Sequence, residues 1–353
     1  MSDTTAMAGL LCPAPITLHD RVQLGHGSGG KMSAALLRER FLPHFANPAL
    51  ESLCDGAVVP IVSGRLVVST DTFVVSPLEF PGGNIGSLSV HGTLNDLAMM
   101  GAEPLYLAVG FVLEEGLPFD QLDRIVAAMA RAAEDAGVAI ITGDTKVVER
   151  GKADGVFINT TGIGMRHQFF APEPTRVQPG DAIIISGPIG RHGIAVMSAR
   201  EGLAFETEVV SDSASLFPLV ERLREALEGD VHALRDPTRG GVASALNEIA
   251  AQARVGVVLH ESALPVPGPV AAACEMLGLD PLYVANEGIF VAFVSTALAE
   301  EAVEALRRHP LGHAARVIGR VVDDHPGMVV MRTAAGGTRV VDMLPGDQLP
   351  RIC

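Results

Sequence analysis

Phe170-Ala-Pro-Glu-Pro-Thr-Arg-Val-Gln-Pro-Gly180 places three prolines and a glycine near the middle of a 353-residue chain, and no helical or strand period survives there. Periodicity resumes on both sides, so the chain is constrained to two units that each mix helices with strands. In the first half, Arg65–Thr70 and Val156–Thr160 are β-branched runs, and Ile85 to about Met100 predicts a helix. Leu122, Ile125, Val126 and Met129 fall on one helical face between Asp120 and Gly137, and a short buried strand, Val138–Thr142, follows and is closed by Gly143. In the second half the strand Asp181–Ile185 precedes helices at Ile194–Arg200, Leu216–Leu227, Val242–Ala253 and Leu298–Arg308. The expected layout is a flexible extension at 1–20, domains at 21–168 and 169–343, and a mobile tail at 344–353. Pro345, Gly346 and Pro350 forbid regular helix in that tail, which can reach up to about 35 Å.

Composition removes several classes of function. Twenty-six basic against 41 acidic side chains give a net charge of −15, which argues against sequence-independent binding to nucleic acid or anionic membranes. The longest apolar candidate, Leu97–Leu113, is interrupted by Gly101, Glu103 and Pro104 and falls short of the ~18 residues a membrane span needs. No secretory signal is visible, so a cytoplasmic location is expected. Cys12, Cys54, Cys274 and Cys353 stand far apart, without metal-finger spacing, and read as four separate thiols. Thirty-eight glycines against two tyrosines and no tryptophan point to close backbone approaches rather than aromatic platforms.

The glycines are clustered. Gly25-His-Gly27-Ser28-Gly29-Gly30-Lys31 precedes the amphipathic stretch Met32–Arg40, and reads either as a phosphate loop at a helix N-terminus or as a flexible surface turn. Gly187–Gly193 lies between a strand and a helix and favours a packing turn. Asp55, Asp71, Asp144 and Asp236 stand at expected strand ends or beside glycine turns, and Asp96 sits on an otherwise apolar helix. Singly, each suits a cap or a turn; together, hard oxygen donors beside two glycine loops are what Mg²⁺ with a polyphosphate requires. Lys146 and Glu287 also neighbour glycine turns and could be ordinary surface residues. His26, His91 and His192 match no metal spacing and receive no catalytic role. Cys353, the last residue, reads by itself as an incidental tail cysteine, yet none of the four thiols has a better nucleophile's address, and Arg351 could help to ionise it.

Several stretches together carry a family likeness: Gly25–Lys31, Ser69–Val75, Pro81–Gly86, Asn95–Ala98, Ile141–Val148, Gly190–Ala195, Asp236–Gly241 and the terminal Pro350-Arg-Ile-Cys353. From about Val22 to its end the chain resembles the HypE family of hydrogenase maturation factors, within the superfamily of aminoimidazole ribonucleotide synthetase and selenophosphate synthetase. The resemblance implies a two-domain α+β fold of that superfamily, with an N-terminal domain that binds ATP and forms a homodimer, a C-terminal α+β domain and the reactive tail. By the same likeness Asp55, Asp71, Asp96 and Asp236 match the Mg²⁺-phosphate carboxylates and Asp144 joins them. Lys146 and Glu287 match residues near the modified cysteine, with Glu287 as base and Lys146 positioning or stabilising charge. Asn84 departs from a frequent Asp, and Ile289 from a common basic residue.

The implied reaction begins with transfer of a carbamoyl group to Cys353 by the carbamoyltransferase HypF. ATP-driven dehydration then converts the thiocarboxamide to a thiocyanate, whose cyano group passes to iron on a HypC–HypD scaffold. Two other readings compete: a superfamily small-molecule kinase or cyclase that ignores the tail thiol, and a non-enzymatic scaffold or iron-binding chaperone, which the lack of a Cys/His cluster disfavours.

Overall fold

The computed structural model describes residues 20–28, 30–51, 57, 59, 63–202, 208–343 and 351–353. Asp55, Gly29, Cys12, Cys54, the side chain of Lys31 and tail residues 344–350 lie outside the described residues. In the first unit, α1 (Gly30–Leu36) runs through a π turn at Leu37–Phe41 into α2 (Leu42–Phe45), followed by α3 (Pro48–Glu51). Next come β1 (Arg65–Phe73), the small hairpin β2 (Glu79–Phe80) and β3 (Gly83–Asn84), α4 (Ile85–Met99), β4 (Ala102–Glu114), α5 (Phe119–Asp135), β5 (Ala139–Val148) and β6 (Val156–Arg166). Strands β1, β6, β4 and β5 form one sheet in that order, antiparallel except for β4 with β5.

The second unit contains β7 (Ala182–Ile185), α6 (Arg191–Glu201), α7 (Phe217–Leu227), β8 (Val231–Arg235), α8 (Gly241–Ala253), β9 (Gly256–His260) and α9 (Gly268–Leu277). It ends with β10 (Val291–Val294), α10 (Ala299–Arg307), β11 (Arg316–Val322), β12 (Val329–Arg332) and β13 (Thr338–Val341). Its seven-stranded sheet has the order β13-β12-β9-β11-β7-β10-β8. All four residues of β7 are buried because both faces are covered: Ile183 and Ile185 pack with Leu246 and Ile249 of α8, and Ala182 and Ile184 with Leu219 and Leu223 of α7. A strand buried on both faces reads as a continuous apolar run, which is why Ala-Ile-Ile-Ile is visible in the sequence.

Helix α4 joins the two units. It is apolar nearly all round and buried nearly all round. One side faces the first sheet, where Thr93 Oγ1 lies 2.5 Å from Thr160 Oγ1 and Thr160 donates to the Ser89 carbonyl. The other meets the second unit, where the Leu216 amide donates to Asn95 Oδ1 at 2.8 Å. Asn84, the departure from Asp, caps this helix: its Oδ1 accepts from the amides of Gly86 and Ser87, so the neutral amide serves the cap as well as a carboxylate would.

The predicted helices are found within a few residues of their expected bounds; the strands expected at Arg65–Thr70, Val138–Thr142 and Val156–Thr160 run on to Phe73, Val148 and Arg166. Strand β5 does not stop at Gly143 but runs to Val148, because a glycine there lets β4 approach so closely that a Cβ would overlap the Val109 carbonyl. Asp144 and Lys146 are therefore mid-strand residues rather than neighbours of a turn. The stretch 102–114, broken by Pro104, is a 13-residue strand paired on both sides. Gly187–Gly193 is a packing turn: Gly190 takes a φ of +84° before α6, and its amide donates to buried Asn286 Oδ1 at 2.6 Å.

Candidate active site

Asp71 lies on β1, Asp96 on α4, Asp236 just after β8 and Glu287 in the turn before β10, and all four line one cavity of about 450 Å³ between the units. Cys353 lines the same cavity. Its backbone adds to the chain beyond β1: the Val74 amide donates to the Cys353 carbonyl at 3.1 Å and the Ser76 amide to the Arg351 carbonyl at 3.2 Å.

Asp96, Asp236 and Glu287 are set by polar scaffolding. Ser69 Oγ donates to Asp96 Oδ2 at 2.6 Å. Asp236 begins the turn to α8, and the Pro237 carbonyl next to it accepts from both the Asn286 amide and Asn286 Nδ2. Asn95 Nδ2 donates to the Glu287 carbonyl, and the Asp212 carboxylate accepts from the amides of Glu287 and Gly288. A Cβ at Gly288 would overlap the Asp212 carbonyl, so the Glu-Gly pair has a steric cause. Ile289 is buried against Gly187 and makes packing contact where a basic residue would face burial without a partner.

The cavity concentrates negative charge under poor solvation. Burial, then the charges of Asp236, Asp212, Asp71 and Asp96, push the Glu287 carboxyl well above its usual range. Burial and the neighbouring Asp96 push Asp236 up to about 7. Asp96 is also raised by burial, against the opposing Ser69 hydrogen bond. Arg239 Nη2 lies 3.6 Å from Asp71 Oδ1, a partly solvated compensation. Among the described residues no three His, Cys, Asp or Glu side chains already converge on a single metal position. The oxygen-only donor set, with Asp71, Asp96 and Asp236 raising one another's or Glu287's affinity for protons, nevertheless suits a hard divalent cation that shares phosphate oxygens.

Asp144 and Lys146 are elsewhere. Across the sheet Asp144 pairs with Gly110, Gly110 with Asn159 and Asn159 with Thr72, so all four share one face; Asp71, one residue before Thr72, projects to the other face beside Gly92 of α4. Lys146 Nζ reaches Asp144 Oδ2 at 3.0 Å in an exposed pair. One chain therefore keeps Lys146 on the opposite side of the sheet from Glu287. Gly27 packs against Val147 of the same strand, and Ser28 Oγ donates to the Gly25 carbonyl, so the glycine loop lies at this edge as well. Asp212 is absent from the sequence reading, and His192, Asn95 and Asn286 receive no role in it. Asn95 and Asn286 were legible only as polar residues inside apolar stretches.

The family model for the AIR synthase related protein, N-terminal domain, matches residues 54–166, and that for the C-terminal domain matches 178–331. A pair of sheet-and-helix units with an acidic cavity between them is thus an AIR-synthase-related protein. Carbamoyl dehydratase HypE of Cupriavidus necator is 56% identical over 334 residues, which cover 94% of this chain and 95% of that protein. A crystal structure of hydrogenase maturation protein HypE in complex with ATP matches with a TM-score of 0.90 and 52% identity, over 94% of this chain and 99% of that one. A HypE–HypF complex matches with a TM-score of 0.77 and 46% identity, over 88% and 100%. The chain belongs to the HypE family.

Proposed function

We propose that this protein is an ATP-dependent carbamoyl dehydratase of [NiFe]-hydrogenase maturation, a carbon–oxygen lyase that forms ADP and phosphate. The observation that carries the reading is the position of Cys353: the terminal thiol lines the same cavity as Asp71, Asp96, Asp236 and Glu287. HypF supplies the carbamoyl group, giving Cys353 S–C(=O)–NH₂. The carbonyl oxygen takes the γ-phosphoryl group of ATP; phosphate then leaves with that oxygen while the nitrogen loses both protons, giving S–C≡N. In sum, thiocarboxamide and ATP become thiocyanate, ADP, phosphate and a proton. The cyano group is passed to iron on a HypC–HypD scaffold as a cyanide ligand.

Mg²⁺, held by Asp71, Asp96, Asp236 and Asp55, supplies charge compensation for the phosphates. Glu287 is the candidate base for the nitrogen protons, and its buried turn excludes water that would hydrolyse the phosphorylated intermediate. The glycine loop Gly27–Lys31 and Asp144 bind the nucleotide of a second copy, because Asp144 and the cavity of its own chain lie on opposite sides of the sheet. Lys146 is the candidate for positioning or charge stabilisation, and it serves the site of a second copy. In support, the helices pack on one face of the four-stranded sheet, whereas Leu66 and Val68 on the other face are 48% and 63% exposed, in register with Met165 and Ile163. A homodimer covering this apolar face would place Asp144 and Lys146 at the interface. The chemistry needs a reduced Cys353 thiol, which a reducing cytoplasm maintains.

Intact mass spectrometry tests the reading. After loading by HypF and its carbamoyl donor, ATP should remove the mass of one water from the adduct, and Cys353→Ala should carry no adduct. An adduct on another cysteine, or one unchanged by ATP, overturns it.

A further inference from the structure

The last three residues are held by more than backbone pairing. His192, on α6, is fully buried, and its Nε2 lies 2.9 Å from the Ile352 carbonyl. A carbonyl only accepts, so Nε2 carries the proton; Nδ1, 2.8 Å from Ser211 Oγ, is then the acceptor of that hydroxyl's proton. Burial favours the neutral ring, with Asp212 as the opposing charge. The ring edge packs on Phe80 at 5.3 Å, which fixes its plane. Ile352 is only 4% exposed, so water cannot replace the ring as donor to its carbonyl while the tail is docked. One residue earlier, Arg200 Nη2 donates to the Arg351 carbonyl at 2.7 Å and Arg200 Nε to the Ser76 carbonyl at 2.8 Å. The Arg351 guanidinium in turn donates to the Val74 carbonyl and pairs with Asp154.

We propose that His192 is a positioning residue that seats the C-terminal tripeptide, acting through the Ile352 carbonyl, with Ser211 fixing its tautomer. The neighbouring Asp212 holds the Glu287 and Gly288 amides, so two consecutive residues, Ser211 and Asp212, register the tail and the candidate base to one frame. Such a seat has opposite effects on two steps: it slows departure of Cys353 toward a partner and favours its presence beside Glu287. The consequence for catalysis rests on the proposed function above; the seating itself does not.

Iodoacetamide alkylation of Cys353 in the full-length protein, read by peptide mapping, measures seating without any reaction. His192→Phe keeps a ring against Phe80 but lacks the donor, and should raise the alkylation rate by about five- to tenfold, the value of one buried hydrogen bond. His192→Gln, which can donate from its amide, should return the rate to within about twofold of wild type. An unchanged rate in a folded His192→Phe protein, or a Gln variant as reactive as the Phe variant, overturns the proposal. Should His192→Phe not fold, Ser211→Ala retains the ring and should raise the rate about two- to threefold; wild-type protection there overturns it equally. Conversion of loaded Cys353 in the presence of ATP should fall in His192→Phe while loading by HypF does not. Altered alkylation with unaltered conversion would uphold the seat and count against the proposed reaction.

Discussion

Replacing Asp236 by Asn should stabilise the metal-free protein at alkaline pH. In the folded state the Asp236 carboxyl is pushed up to about 7, against 3.8 in an unstructured chain. A group with a raised folded value contributes stability that is fully present below its unfolded pKa and is lost as pH rises through the folded one. At about 1.4 kcal/mol per pH unit over that window, the ionised carboxylate costs on the order of 4 kcal/mol at pH 8 and less than half of that at pH 5. The Asn amide remains a buried polar group, so about half of this should be recovered, on the order of 2 kcal/mol. For a chain of this size that corresponds to a rise of roughly 3 °C in the melting temperature at pH 8, vanishing toward pH 4. Calorimetric melts in EDTA from pH 4 to 8 give the curve. Adding Mg²⁺ with ATP should reverse the ranking, because only the wild type presents the full carboxylate set. A variant less stable than wild type at pH 8 in EDTA, or a difference that does not change with pH, would show that Asp236 is not buried as a strained carboxylate.

Glu287→Gln and Lys146→Ala should each leave carbamoyl loading of Cys353 intact and slow its conversion to thiocyanate by about 10²–10⁴-fold, as measured by rapid-quench mass spectrometry; conversion at the wild-type rate would make both residues structural. Val68→Asp, on the exposed sheet face, should turn a homodimer into a monomer in light scattering and depress conversion with it. A wild-type monomer at micromolar concentration would refute the dimer and leave Lys146 without a route to the cavity.

The legible parts of this chain were those where one local cause decides. Leu122, Ile125, Val126 and Met129 reveal α5 because they repeat on a helical face, and the fully buried β7 shows as an unbroken apolar run. Asp71, Asp96 and Asp236 were recognisable as a set by residue type, and the cavity unites them with Glu287 and Cys353. The strand through Gly143 was hidden because glycine marks both turns and close approaches, and the spatial neighbour that distinguishes them, the Val109 carbonyl, is 34 positions away in sequence. Lys146 illustrates a second limit. Alternation along β5 decides which face it occupies, and a strand that stops at Gly143 leaves Lys146 with no face. His192 was visible only as a histidine beside a glycine turn, with no role assigned, since its partners, Ser211 and Ile352, are 19 and 160 residues distant.

The electrostatics of the cavity give an order to the chemistry. Burial, then the like charge of Asp236, Asp212, Asp71 and Asp96, raises the affinity of Glu287 for its proton well above that of an ordinary carboxylate. A carboxyl that favours its proton is a weaker base, which disfavours activation of water against a thiocarboxamide that arrives before nucleotide. Of the four acids that raise it, Asp71, Asp96 and Asp236 are those assigned to the cation; neutralising them removes much of the repulsion and lets Glu287 release its proton. Basicity would then appear only when metal and nucleotide are in place, which is when the nitrogen protons must leave. The Mg²⁺–ATP melts proposed for Asp236 read this directly. If metal and nucleotide leave the pH slope of wild-type stability as steep as in EDTA, the carboxylates are not neutralised, and the proton acceptor has to be sought in the departing phosphate instead.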